Sequence, residues 1–224
     1  MPDIVRIEDG RVKYVREEIV REVSVESFVA NIENRIPVDT GILPRGCLYM
    51  MKNMGKCVYL VEVPSSLVPV SFKQERNVSN YVISIPFTQF YVHCNPSAGT
   101  IISIMISVTK TPLVSVTQKV SVPPYLNIFS NGEGNVCTGS MQIPQDVPIK
   151  MKVDSVVSAF FEADFNSDLT PCIPAVFGRV RDFREYMEKW ADFTKKDRFF
   201  ACSREIEYKV HRHTPYEIIK EMME

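Results

Sequence analysis

The chain has 224 residues, 45% of them hydrophobic, enough for one large domain or one domain with a substantial appendage around a real core. Lys and Arg total 26 against 27 Asp and Glu, a net charge of -1, so there is no surplus for a polyanion and nucleic acid is not an expected partner. The longest apolar run, "TIISIMISV", is too short to span a bilayer and is interrupted by Ser103 and Ser107, which excludes a membrane segment there.

The N-terminus, "MPDIVRIEDG", carries acids where a secretory signal would carry a basic segment and an apolar run, so a cytoplasmic protein is expected. "IVRIEDGRVKYV" alternates apolar and charged residues about Asp9-Gly10, a dipeptide suited to a tight turn, and predicts an opening hairpin. In "SVESFVANIENR", Phe28 and Ile32 lie four apart, which predicts a short helix ahead of Pro37. "CLYMMKN", "CVYLVEVP", "NYVISIPFTQFYVHCN" and "TIISIMISVTK" are rich in valine, isoleucine and aromatics and predict an antiparallel meander of about four strands.

Beyond the meander the texture changes. "PLVSVTQKVSVPPYLN" is extended and bounded by prolines, and "NIFSNGEGNVCTGS" is too rich in Gly and Asn for a regular element. Helical spacing returns in Asp154 to Asp164 and, more clearly, in "RVRDFREYMEKWADFTKK". There Phe183, Tyr186, Met187, Trp190 and Phe193 form one stripe, expected to be core. Thr214, Pro215 and Glu217 fit a capping box that opens a last helix.

Six cysteines, Cys47, Cys57, Cys94, Cys137, Cys172 and Cys202, are widely and irregularly spaced, with no CxxC pair to announce zinc or a redox dithiol. Cys137 is the one set apart by its surroundings. Gly132, Gly134 and Gly139 flank it, and Asn127 stands ten positions earlier with a side-chain amide to offer. A nucleophilic thiol needs an exposed, well-held loop, with donors nearby for the charge that develops on an attacked carbonyl. Taken locally, the plainer reading is a Gly-Asn surface turn between two strands with a buried cysteine beside it.

The order of parts carries a resemblance. A meander, a proline-marked extended segment, an asparagine, a Gly-containing loop and then a cysteine is similar to the ubiquitin-conjugating enzyme (UBC) superfamily, whose motif is His-Pro-Asn followed by the nucleophilic Cys. "TGILPRGCLYM", the strands after it and "VPPYLNIFSNGEGNVCTGSMQIP" resemble more closely the prokaryotic UBC-like family D, which includes protein B of the PRTRC system. The similarity spans roughly residues 38 to 165. It implies an α+β UBC-like fold, an antiparallel β-meander flanked by helices. An N-terminal hairpin and helix (1–37) would precede this core (38–165), and a C-terminal helical extension (166–224) would pack on it. It also implies that Cys137 forms a thioester and that Asn127 is the motif asparagine, while Tyr125 and Leu126 replace the motif His and Pro. The implied partners are a ubiquitin-like modifier, a ThiF-like activating enzyme and a JAB-type metalloprotease, with no cofactor. The departure at Tyr125-Leu126 keeps a second expectation open, a catalytically inactive UBC-like interaction or structural module of a bacterial or phage assembly.

Two lesser features complete the reading. His211 and His213 form an HxH, with Cys202 upstream, which is short of a full zinc ligand set; a solvated edge strand is expected there and no metal. "FTKKDRFF" and "GRVRDFR" concentrate basic charge near the long amphipathic helix, expected as a hydrated face.

Overall fold

A computed structural model describes residues 4–8, 11–15, 19–24, 43–53, 55–129, 133–169 and 171–224. The chain divides into two compact units, Met1–Ile42 and Leu43–Glu224. In the first, β1 (Ile4–Glu8), β2 (Arg11–Val15) and β3 (Ile19–Ser24) make a three-stranded antiparallel sheet in that order. Glu8 pairs with Arg11, so the connection has the two-residue length expected of the Asp9-Gly10 hairpin. The third strand was not anticipated from the sequence. The helix expected around Phe28 and Ile32 lies outside the described residues.

In the second unit, β4 (Cys47–Asn53), β5 (Lys56–Val63), β8 (Phe87–Asn95) and β9 (Thr100–Thr109) form an antiparallel sheet in the order β4-β5-β8-β9. The α+β class and the meander flanked by helices are as expected; one detail differs. "NYVISIPFTQFYVHCN" is two strands, because Pro86 has no N–H to continue a ladder. Its first half is β7 (Asn77–Ile85), which pairs with β6 (Ser66–Gln74) in a separate two-stranded sheet, while β8 returns to β5.

Three helices follow: α1 (Ile149–Glu162), α2 (Phe183–Lys196) and α3 (Pro215–Met223). The four-stranded sheet is covered on both faces, which is why β5 and β8 read as nearly continuous apolar runs. On one face Tyr59, Phe90, Val92 and Ile106 share a core with Phe160 of α1 and Trp190 of α2. On the other, Val58, Leu60 and Tyr91 lie under Ile218 and Ile219 of α3. The stripe read from sequence is this core contact: Tyr186, Met187 and Trp190 are fully buried, with Phe183 and Phe193 packed at the margin. The expected capping box is formed, Thr214 accepting from the Glu217 N–H and the Glu217 carboxylate accepting from the Thr214 N–H at 2.7 Å.

His93 on β8 is 5% exposed, and its Nε2 has no hydrogen-bond partner among the described residues. Burial, aided by the Lys56 charge, holds its pKa below the ordinary 6.5. The unfolded chain then takes up a proton that the fold resists. Stability is therefore full above about pH 6.5 and declines as pH falls through the depressed value. In His93→Leu, the unfolding free energy should change less between about pH 7.5 and 5 than in the parent chain, as read by urea titrations at each pH. Equal slopes in the two proteins would contradict this.

Candidate functional site

The extended stretch after β9 is held from both sides. Ser121 exchanges two backbone hydrogen bonds with Val108 of β9, each 2.9 Å, while Val122 donates to the Lys209 carbonyl and the His211 N–H to that of Val120. Tyr186 donates its hydroxyl to the Pro124 carbonyl at 2.8 Å. Tyr125, expected to stand in place of a motif histidine, is a core residue. Its ring stacks parallel on Trp190 with centroids 5.9 Å apart, and its hydroxyl lies 2.6 Å from that of Thr88. The proline-bounded segment is thus a rigid rail that delivers Asn127 to a fixed place.

Asn127 turns the chain. Its φ is +62°, in the left-handed region that asparagine tolerates better than other side chains. The buried side chain is pinned at both ends: Nδ2 donates to the Asp164 carbonyl at 3.0 Å, and Oδ1 accepts from the Asn166 N–H at 3.3 Å. Its own carbonyl accepts the Cys137 N–H at 2.9 Å, and one rung further the Phe129 N–H donates to the Asn135 carbonyl at 2.9 Å. Asn127 and Cys137 therefore close the base of a small hairpin, which accounts for their spacing.

The return arm of that hairpin is stitched to the outer edge of β9. Ile106 donates to the Gly134 carbonyl at 2.8 Å, and Val136 donates to the Ile104 carbonyl at 3.0 Å. A third element straps the loop from outside. The buried His211 ring donates from Nε2 to the Glu133 carbonyl at 3.1 Å, and its Nδ1 lies 3.0 Å from both the N–H and the carbonyl of His213. Arg212 pairs with the Glu133 carboxylate. His211 is thus no solvated edge residue, contrary to expectation. A hydrogen bond to a loop 78 residues away buries it, and no local pattern announces that.

Cys137 emerges from this frame as a partly exposed free thiol. Among the described residues no side chain hydrogen-bonds its sulfur, and no group of three His, Cys, Asp or Glu side chains is placed to hold a metal ion. The structure therefore brings Asn127 and Cys137 together, but through the asparagine's main chain. The amide expected to face a reacting carbonyl is spent on Asp164. The sequence reading missed the strap of His211 and Arg212 altogether.

Beside the thiol, two clefts run along β9. One of about 460 Å³ is lined by Ile102, Ile104, Phe129, Val136 and Thr138 among others. The next, of about 260 Å³, shares Ile102, Ser103 and Thr138 and reaches Lys152 of α1. Among the described residues no helix is long and apolar enough to cross a membrane.

Residues 107–197 match the model of Prokaryotic E2 family D, a stretch that contains Asn127, Cys137, α1 and α2. The match supports a prokaryotic E2-like family for this chain, in keeping with a sheet of four antiparallel strands followed by the cysteine loop and helices. It runs further toward the C-terminus than the segment on which the resemblance was drawn. No curated protein and no solved structure matches the chain.

Proposed function

We propose that the protein carries a ubiquitin-like modifier as a thioester on Cys137 and passes it to an amine. The observation that carries this reading is a partly exposed thiol, fixed by its own N–H to the Asn127 carbonyl, inside the stretch that matches the E2 family model. The sulfur attacks the modifier's C-terminal carbonyl, held as a thioester on a ThiF-like activating enzyme. The enzyme's thiol leaves with the proton, and a later attack by an amine releases Cys137 as the thiol. One thioester replaces another, so the first step is close to isoenergetic and gains most from holding the two partners in place. Asn127 acts here as the residue that positions the loop. To donate to an oxyanion, its amide would first have to leave the Asp164 carbonyl.

That engaged amide and the buried Tyr125 favour, as the second reading, an inactive UBC-like module of a bacterial or phage assembly. Incubation with a modifier, its ThiF-like enzyme and ATP should give an adduct on non-reducing gels that a thiol reagent dissolves and that is missing in Cys137→Ser. Cognate partners that charge one another yet never load Cys137 would leave the inactive module standing. Membership of a PRTRC-type system, with its JAB-type metalloprotease and a cytoplasmic setting, is part of the same proposal.

A further inference from the structure

We propose that the two clefts along the start of β9 form one docking site for an extended, acidic peptide tail. The tail would lie against the outer edge of that strand, with its carboxy terminus at the Val136–Thr138 rim. The inference rests on the thioester reading and specifies the kind of modifier tail the site accepts. An open strand edge presents backbone donors and acceptors that another extended backbone completes.

On β9 the outer edge is already filled from Ile104 onward, by Gly134 and Val136 and then by Ser121. From Thr100 to Ser103 no strand covers it among the described residues. Edges left open are usually blunted by charge, but Thr100 to Ser103 carry none. The register with β8 passes from His93↔Ser103 to Cys94↔Ile101, so Ile102 is the extra residue of a bulge, and its side chain is 49% exposed in the wall of both clefts. The bulge turns an isoleucine into the path that leads to the cysteine loop.

The electrostatics select the tail. Among the residues lining the two clefts none is acidic, and the one formal charge is Lys152. Its side chain is 7% exposed, and its Nζ donates to the Gly99 carbonyl at 2.8 Å. A largely buried ammonium held by a neutral carbonyl is best complemented by a carboxylate. Neither cleft is lined by Cys137 itself, so the last residues of the tail pass over the rim formed by Val136 and Thr138 to bring their carbonyl to the sulfur.

The test uses the full-length Cys137→Ser protein and two blocked hexapeptide amides, one alternating valine with glutamate and one alternating valine with lysine. Neither can be transferred, so binding is read apart from chemistry. In NMR titrations the glutamate peptide should shift the amides of Thr100 to Ser103 and of Lys152, and bind roughly tenfold more tightly than the lysine peptide. Lys152→Met should remove that preference and Lys152→Arg keep it, while Ile102→Asp, at an exposed position, should abolish binding. Shifts absent from β9, or equal affinity for both peptides, would overturn the site. Loading of Cys137 without peptide binding at β9 would sink this inference alone, and binding at β9 without any loading would sink only the thioester reading.

Discussion

Trp190→Ala should cost about 3–5 kcal/mol of stability, a large share of the roughly 5–15 kcal/mol typical of a domain. The indole is fully buried between Tyr125, Phe177 and Tyr186, with ring centroids 5.5 to 5.9 Å away, and its Nε1 donates to the Ser84 carbonyl at 3.0 Å. Truncation opens a cavity that these three rigid rings cannot fill, and it leaves a carbonyl of β7 without its donor. Trp190→Phe separates the two losses. It keeps most of the ring and drops the hydrogen bond, for which about 1–3 kcal/mol is expected. Because Trp190 is the single tryptophan, urea unfolding has to be followed by far-UV circular dichroism. The effect reaches the site, since Tyr125 stacks on this ring and Asn127 follows two residues later. Where Trp190→Ala folds at all, alkylation of Cys137 should no longer follow a single rate. An unchanged urea midpoint in that variant would refute the assignment of Trp190 as the keystone of α2.

What could be read from the sequence was what local chemistry decides. Alternation about Asp9-Gly10 gave the hairpin, the spacing from Phe183 to Phe193 gave the buried face of α2, and Thr214 with Glu217 gave the cap of α3, each set within a few residues of itself. The cysteine loop was visible as an anomaly in composition, and the partnership of Asn127 with Cys137 as a spacing. Its mechanism was not, because an amide that turns to Asp164 and a carbonyl that turns to Cys137 are consequences of a left-handed φ and of a distant helix end. The split at Pro86 was hidden by two apolar runs that join smoothly on paper but belong to different sheets. β6 was not anticipated; it carries Pro69 in its middle, and because its outer edge is bonded only at Ser71 and Lys73, by Phe165, the missing N–H is tolerated there. His211 was assigned to solvent because nothing near it in sequence suggests that Glu133 would bury it.

Two of the glycines around Cys137, Gly134 and Gly139, should behave in opposite ways. At Gly134, φ is +80°, and a Cβ would stand 2.1 Å from the carbonyl oxygen of Ile106 and 3.2 Å from its carbon, both backbone atoms. Neither can swing aside. Gly134→Ala therefore has to lift the loop from β9, losing the Ile106 bond to the Gly134 carbonyl and straining the neighbouring rung at Val136. The left-handed backbone adds its own penalty, for an expected loss of about 2–4 kcal/mol. The same displacement pulls Glu133 from the His211 Nε2 and releases the frame that presents the thiol. Modifier loading should then fall at least about tenfold while iodoacetamide reacts faster, because orientation is lost and access gained. Gly139 differs: its Cβ would meet only the Cys137 Sγ, at 3.9 Å, an ordinary contact. Gly139→Ala should keep the parent's stability and slow transfer of a bulky modifier more than reaction with a small alkylating agent, since the added methyl narrows the approach to sulfur without moving it. Equal tolerance of alanine at both positions, in stability and in thiol reactivity, would mean that the loop is not held against β9 in the way its hydrogen bonds describe.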